Sequence, residues 1–264
     1  MSDSKVEYAT REGVATLTLN DPPVNGYSHA MMRDLDDAIL RARFDDDVHV
    51  IVLTGAGEKF FCAGADIGGL AQMEPSYKYH FCLHANETLL RLEHTPKLVI
   101  AALNGHTVGG GLEVALACDL RVARRAGGKV GLPEVALGVL PGTGGTQRLA
   151  RALGKSKAMQ LMVAGDNMTF EDAAELGLVH EVLDVDAAGF AEAVHEYARK
   201  FCPPAKASMA VGLIKRSVQT GAEVPLEAGL ALERELQARL FSSDDAREGL
   251  ASYLEKRPPG FSGS

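Results

Sequence analysis

The chain has 264 residues, of which 46% are hydrophobic and 23% charged, a composition typical of a folded globular protein rather than a disordered one. Its net charge of −8 disfavours a nucleic-acid partner. No apolar run approaches the ~20 residues of a membrane span, and residues 1–5 carry no signal-like apolar segment. We therefore expect a cytoplasmic protein that binds neither nucleic acid nor membrane.

Strand and helix patterns alternate along the first two thirds of the sequence. The predicted elements are a strand at 14–20, a helix at 29–44, a strand at 48–55, a helix at 75–93, a strand at 98–104, a short helix ending near Cys118, and strands at 119–123 and 129–132. This order predicts an α/β core.

The strand signal fades from Gly142 onward, and helical patterns replace it. The predicted helices are 146–153, 155–163, 170–176, 187–201, 204–220 and 225–241. Thr169 followed by Asp172 predicts a helix start. The Pro203-Pro204 pair is the predicted boundary between an α/β region, 1–202, and a helical region, 203–264.

Cysteine and histidine spacing gives little support for a metal site. The cysteines are Cys62, Cys82, Cys118 and Cys202. They form no C-x-x-C pair, so we expect reduced and mostly buried thiols rather than a zinc ribbon or a disulfide framework. His80 and His84 are one helical turn apart, but no third ligand is evident, and we expect no metal.

The first motif, Phe-Phe-Cys-Ala-Gly-Ala-Asp-Ile at 60–67, directly follows the strand predicted to end at Gly55. Its small residues Ala63, Gly64 and Ala65 let backbone N–H groups approach a ligand closely. An ordinary strand-to-helix loop is the alternative. Gly55 and Gly57 are not followed by the third glycine of a dinucleotide-binding fingerprint.

The second motif, Asn-Gly-His-Thr-Val-Gly-Gly-Gly-Leu-Glu at 104–113, predicts a strand, a glycine turn and a helix start. Free N–H groups at such a helix start, together with the helix dipole, can stabilise negative charge on a carbonyl oxygen. The alternative is that Glu113 only complements the dipole.

The third motif is Gly-Leu-Pro-Glu-Val-Ala-Leu-Gly at 131–138, closely followed by Leu-Pro-Gly-Thr-Gly-Gly-Thr-Gln-Arg-Leu at 140–149. An acid after a proline in an apolar setting, here Glu134, can have its proton affinity tuned for acid/base work. A helix-initiating Pro-Glu pair is the alternative. The turn at Gly144 lacks the Lys-Ser/Thr ending of a P-loop.

The three motifs in this order resemble the crotonase (enoyl-CoA hydratase/isomerase) superfamily from Val14 to about Lys256. The GGGLE and PEVALGVLPGTGGTQRL blocks are especially characteristic. The resemblance implies an α/β fold with a crotonase-like core of repeated β-β-α units over 1–202. It also implies an α-helical oligomerisation region over 203–264 in a homotrimer or homohexamer.

The resemblance also implies a site for an acyl-CoA thioester. Its oxygen would accept hydrogen bonds from the N–H groups of Ala65 and Gly110, while Glu113 and Glu134 would hold the water that adds across the 2,3 double bond. CoA would lie along Ala63, Ala65, Asp66, Ile67 and Gly110. No metal or redox cofactor is needed, because coenzyme A is part of the substrate.

The sequence departs from the family pattern near the CoA phosphates. Many relatives place a lysine after the Asp-Ile pair, whereas this chain has Gly68-Gly69. Lys256 or Arg257 of a neighbouring subunit is the substitute that we expect. The acyl pocket would be formed by the segment 72–94, with the candidate side chains Tyr79, Phe81, Leu83 and His84.

Several alternatives stay open at this point. A double-bond isomerase needs only one carboxylate, and the motifs say nothing about the acyl tail, so a cyclic or aromatic acyl-CoA is also possible. A hydrolase is suggested by Gly-Tyr-Ser-His-Ala at 26–30, which lacks the second glycine of a nucleophile elbow. A non-catalytic scaffold or an RNA-binding protein is disfavoured by the acidic charge and the two glutamates.

Overall fold

The computed structural model describes residues 4–65 and 67–264. The strands are β1 (Val6–Arg11), β2 (Val14–Leu19), β3 (Val50–Gly55), β4 (Phe60–Cys62), β5 (Leu98–Leu103), β6 (His106–Val108), β7 (Leu120–Arg124), β8 (Lys129–Gly131), β9 (Met168–Thr169) and β10 (Glu181–Leu183). The α-helices are α1 (His29–Phe44), α2 (Ile67–Leu70), α3 (Pro75–His94), α4 (Gly110–Leu116), α5 (Gly145–Leu153), α6 (Lys155–Ala164), α7 (Phe170–Glu175), α8 (Ala187–Arg199), α9 (Ser208–Gly221), α10 (Leu226–Phe241) and α11 (Asp244–Glu255), and a 3₁₀ helix spans Glu134–Leu137.

The larger sheet has the order β1-β2-β3-β5-β7-β10. β1 and β2 form an antiparallel hairpin, and every later neighbour pairs in parallel. Parallel strands require crossover connections, which the helices between them supply. The first residues of β2, β3 and β5 are aligned, since Val14 pairs with Val50 and Val50 pairs with Leu98.

Both faces of the larger sheet are buried, which explains the near-continuous apolar runs of its central strands. In β3, Ile51 and Leu53 face the main core beneath α1 and α3, whereas Val50 and Val52 face a second apolar cluster. Phe190 of α8 belongs to that second cluster. The two-residue alternation of a strand thus divides its side chains between two cores.

The smaller sheet has the order β4-β6-β8-β9 and positions the site. β4, β6 and β8 are parallel neighbours, so their carboxyl ends lie along one edge. β4 leads to the turn at Ala63, β6 leads directly into α4, and β8 is followed by the 3₁₀ helix. Each of the three sequence motifs therefore leaves the same edge of this sheet.

The α/β fold class predicted from the sequence is confirmed, and the long elements lie where the patterns place them. The strands at 14–20, 48–55 and 98–104 and the helices at 29–44 and 75–93 match the observed elements within two residues at either end. The predicted helix start also forms, since Thr169 and Asp172 make a reciprocal capping box.

Helices dominate beyond Gly142, as the patterns indicate, but two short strands that the patterns do not show also lie there. β9 pairs antiparallel with β8, and β10 pairs in parallel with β7 at the edge of the larger sheet. Strands of two or three residues are too short to show alternation in the sequence. The short strands β4 and β6 are also absent from the prediction, as are β1 and α11.

Helix α9 packs on the core, and a buried ion pair joins the two. The Lys215 ammonium of α9 lies 2.9 Å from an Asp119 oxygen and donates to the carbonyl oxygens of Leu92 and Lys97 at 3.1 Å each. A division of the chain at residue 203 stays a prediction. In the described ranges, no helix combines the length and apolar character that a membrane crossing requires.

Candidate active site

Glu113 lies in the first turn of α4, which begins where β6 ends. Its side chain belongs to a residue only 3% exposed. A carboxylate at this depth requires hydrogen-bond partners, because removing it from water without them is costly. A glutamate that only complements the helix dipole would have an exposed side chain. The burial of Glu113 therefore requires another explanation.

The partners of Glu113 come from the glycine-rich segment before α5. The backbone N–H groups of Thr143 and Gly145 donate to Oε1 at 2.7 and 2.8 Å, and the Thr143 hydroxyl donates to Oε2. A carboxylate has about four acceptor positions, so one remains for a further donor. Two backbone N–H groups and one hydroxyl thus fix the position of this carboxyl group.

The turn after β4 lies directly against the start of α4. Gly64 has φ of +81°, and a Cβ atom built there would lie 3.0 Å from the Gly110 nitrogen. Such a contact is tighter than nearly all real Cβ contacts, and the positive φ adds strain for any other residue, so this approach favours glycine. The turn brings half-buried Ala65, the next residue, beside the first residue of α4, Gly110, whose N–H has no acceptor within the helix.

Glu134 begins the 3₁₀ helix after β8 and lies on the same edge. A Cβ atom built at Gly109 would be 3.2 Å from Glu134 Oε1, which places this carboxyl group beside the start of α4. Its other oxygen, Oε2, is buried and has no hydrogen-bond partner among the described residues. A buried oxygen of this kind can accept a hydrogen bond from a bound molecule.

The surroundings of Glu134 raise its pKa to about 7. Burial is the main cause, and the negative charge of Glu113 raises the pKa further, whereas Lys78 lowers it. The two carboxyl groups therefore lie within electrostatic reach of each other. Glu113 is thus held by three donors, whereas Glu134 has a pKa raised to about 7.

α3 supplies a wall of aromatic and basic character next to these groups. The Phe81 ring meets the Tyr27 ring edge-on, with 5.2 Å between centroids. The Lys78 ammonium lies 5.1 Å from the centroid of Phe81. This wall includes Phe81, one of the predicted pocket side chains, whereas Tyr79 and Leu83 are exposed.

The structure brings together four of the predicted residues, Ala65, Gly110, Glu113 and Glu134, at one edge of the smaller sheet. Ala63 lies in the same turn, where its N–H donates to the Val24 carbonyl oxygen at 3.1 Å. Ile67 begins α2 immediately afterwards. Asp66 lies outside the described residues.

The sequence motifs did not identify the residues that hold this site in shape. Thr143 lies inside a quoted motif, but nothing in the sequence links it to Glu113, thirty positions earlier. Tyr27 belongs to the segment 26–30 that suggested a hydrolase, and Asn25 directly precedes that segment. There, Ser28 Oγ accepts the Met31 N–H at 3.2 Å and caps α1, so the structure gives this serine a capping function.

The structure also shows the surroundings of His84 and Arg257, two residues that the sequence analysis considered for binding. The rings of His84 and His29 are in edge contact, and the described ranges contain no group of three or more His, Cys, Asp and Glu side chains arranged for a metal ion. Arg257 donates to the carboxylates of Glu248 and Glu255 at 2.6 to 2.8 Å. A contact from Arg257 to a CoA phosphate would therefore compete with two existing ion pairs.

Comparisons with known proteins identify the family of this chain. The sequence model of the family described as enoyl-CoA hydratase/isomerase matches residues 9–264. A short-chain-enoyl-CoA hydratase of Clostridium acetobutylicum is 37% identical over 94% of both chains. A 2,3-dehydroadipyl-CoA hydratase of Escherichia coli (strain K12) is 36% identical over 98% of this chain and 99% of its own.

A solved structure extends the similarity to the fold. The crystal structure of an enoyl-CoA hydratase from Geobacillus kaustophilus HTA426 has a TM-score of 0.95 and 44% sequence identity, and the match covers 100% of this chain and 98% of that one. The resemblance seen in the sequence is confirmed over the whole fold. The chain therefore belongs to the enoyl-CoA hydratase/isomerase family, within the crotonase superfamily.

Proposed function

We propose that this enzyme is an enoyl-CoA hydratase, which adds water across the 2,3 double bond of an acyl-CoA thioester. The observation that carries the proposal is the contrast between its two neighbouring carboxyl groups. Glu113 is held by three donors, while Glu134 has a pKa of about 7 and an unpaired buried oxygen. Addition of water requires one group that accepts a proton and one that donates it.

Glu113 is the proposed base. Its remaining acceptor position binds the water and takes one proton as the water oxygen bonds to Cβ. The electrons of the double bond move onto the thioester, whose oxygen becomes an enolate. The N–H groups of Ala65 and Gly110 stabilise that oxygen, and one such donor is typically worth about 3 kcal/mol.

Glu134 is the proposed acid. It gives its proton to Cα, which collapses the enolate to the hydroxyacyl thioester. Transfer of a proton from Glu113 to Glu134 through solvent then restores both groups, so the net reaction is addition of one water. The scheme uses the carboxyl groups, backbone N–H groups and water. CoA enters as part of the substrate and lies, in this proposal, along Ala63, Asp66 and Ile67.

The direct test is hydration of crotonyl-CoA, followed as loss of the enoyl-thioester absorbance. Purified enzyme should hydrate this substrate, and 3-enoyl-CoA should be a poor substrate for isomerisation. Isomerisation of 3-enoyl-CoA without hydration would replace the proposal with a double-bond isomerase. A ring-bearing or dicarboxylic 2-enoyl-CoA that is hydrated much faster than crotonyl-CoA would keep the chemistry and redefine the substrate.

We also propose a homotrimer or homohexamer in the cytoplasm. The helices after residue 203 expose large apolar side chains, which are Ile214, Val218, Leu226, Leu250, Tyr253 and Leu254. Exposed apolar surface of this kind is typical of a subunit interface. Sedimentation that shows only a 28.0 kDa monomer at micromolar concentration would contradict this proposal.

A further inference from the structure

Tyr27 contacts both backbone turns of the site. Its N–H donates to the Gly64 carbonyl oxygen at 2.9 Å, one residue before Ala65. Its ring lies against the other turn, since a Cβ atom built at Gly110 would be 3.3 Å from ring atoms Cγ and Cδ1. Tyr27 is 4% exposed, so these contacts belong to packed interior structure.

The rest of the turn at 24–27 fixes the same strand end. Asn25 has φ of +53°, and its side-chain amide donates to the carbonyl oxygens of Ala56 and Phe60 at 3.0 and 2.9 Å. The Ala63 N–H donates to Val24. These hydrogen bonds fix the main chain at Tyr27 relative to β4. The Tyr27 ring then determines the distance to α4.

The Tyr27 hydroxyl is not part of this arrangement. It is buried, and no group among the described residues meets the geometry of a hydrogen bond to it. Burial raises its pKa well above the usual value, while the neighbouring Thr143 lowers it. Replacing a buried, unpaired hydroxyl with hydrogen is close to neutral for stability. The ring and the hydroxyl can therefore be tested separately.

We propose that Tyr27 is a positioning residue for the thioester oxygen. Its backbone fixes the turn that presents the Ala65 N–H, and its ring keeps Gly110 at the separation that two donors to one oxygen require. The inference rests on the proposed function, because it assigns that oxygen to these two N–H groups. Donors of this kind act only within about 0.5 Å of the productive position, so loss of the ring reduces catalysis.

The test compares Tyr27→Leu, Tyr27→Phe and Phe190→Leu. Phe190 is the matched control, because it is also 4% exposed but belongs to the cluster on the other face of the larger sheet. The readouts are kcat and KM for crotonyl-CoA and the infrared carbonyl stretch of bound butyryl-CoA labelled with ¹³C at the thioester carbon. Strong hydrogen bonds to the oxygen lower that stretching frequency.

Tyr27→Leu should lower kcat about 10- to 100-fold with KM within about threefold, and should move the carbonyl stretch toward its value in water. Tyr27→Phe should retain both wild-type values, and Phe190→Leu should lower only thermal stability. If Tyr27→Leu gives no cooperative unfolding transition, Tyr27→Met, with its longer side chain, takes its place.

Two results would overturn the inference. One is a folded leucine or methionine variant that keeps wild-type kcat and carbonyl stretch. The other is a phenylalanine variant that loses as much activity as the leucine variant, since the hydroxyl would then be responsible. Failure of the proposed function is distinguishable, because the wild-type enzyme itself would neither hydrate crotonyl-CoA nor shift the carbonyl stretch.

Discussion

Glu113 and Glu134 lie within electrostatic reach of each other but have opposite surroundings. Glu113 accepts three hydrogen bonds, whereas one oxygen of Glu134 has no partner in the described part of the chain. The charge of the first raises the pKa of the second, in addition to the effect of burial. Similar groups placed in contrasting environments are how a site holds a base and an acid at one pH.

Glu134→Gln should lower kcat for hydration of a short 2-enoyl-CoA by at least about a hundredfold and leave thioester binding nearly unchanged. Glutamine has the shape of a protonated glutamic acid but cannot give up its proton. Steady-state kinetics and a binding titration with butyryl-CoA measure the two effects. Retention of near wild-type kcat would contradict the two-carboxylate scheme.

Glu113→Gln should lose activity to a similar extent and should also lose stability. The glutamine NH₂ group would face donors that now contact carboxylate oxygens, from Thr143 and Gly145. Loss of such buried hydrogen bonds costs about 1–3 kcal/mol of unfolding free energy. Denaturant unfolding of both glutamine variants checks the contrast, because Glu134→Gln should unfold close to wild type.

The pH dependence of kcat should show an alkaline limb governed by Glu134. Its pKa is raised to about 7 and its protonated form is the proposed acid, so kcat should fall as pH rises through about 7. Lys78 lowers this pKa, and Lys78→Met should therefore move the limb to higher pH. Lys206→Met, at an exposed lysine in a loop, is the control that should leave it in place. A rate that increases through pH 7 would instead make Glu134 the base.

Gly64→Ala should reduce kcat at least about tenfold, because a Cβ atom there meets the Gly110 nitrogen at 3.0 Å. Gly177→Ala is a matched control, since its φ of +77° resembles the +81° of Gly64 and nothing lies within 4 Å of the added atom. Both variants incur left-handed backbone strain of about 1–2 kcal/mol. If both lower kcat equally, the contact between the two turns is not responsible.

The long strands and helices could be predicted from their apolar patterns, and the two site glutamates could be predicted from family motifs. β3 and β5 are six residues each, long enough for burial to leave an apolar signature, whereas β10 has three residues and is defined by its pairing with β7. Glu113 and Glu134 were found through family motifs. The donors to Glu113 were not, because a contact over thirty positions depends on how α5 packs beside α4.

Tyr27 illustrates the same limit. The segment 26–30, which contains Tyr27, suggested a hydrolase. The structure instead shows Ser28 capping a helix and Tyr27 in contact with two turns that are distant in the sequence. Neither contact has a local sequence signature, since one uses a backbone N–H and the other uses the face of a ring.

Lys215→Met should destabilise the fold by about 3–5 kcal/mol, the cost of leaving one partner of a buried ion pair alone. The side chains of Lys215 and Asp119 are 4% and 11% exposed, and burial already raises the pKa of Asp119. The exposed pair between Arg151 and Glu223, at 55% and 49%, gives the control. Arg151→Met should cost less than about 1 kcal/mol, because water screens that pair.

The double variant Asp119→Asn, Lys215→Met decides whether charge is the cause of the loss. Asparagine can still accept the Val99 N–H, which now donates to Asp119 at 2.7 Å, but it carries no charge to be stranded. The double variant should therefore regain part of the stability that Lys215→Met loses, as measured by denaturant unfolding. If it is no more stable than Lys215→Met, the loss arises from the carbonyl oxygens of Leu92 and Lys97, which lose their donor in both variants. If Lys215→Met costs no more than Arg151→Met, the ion pair does not hold α9 on the core.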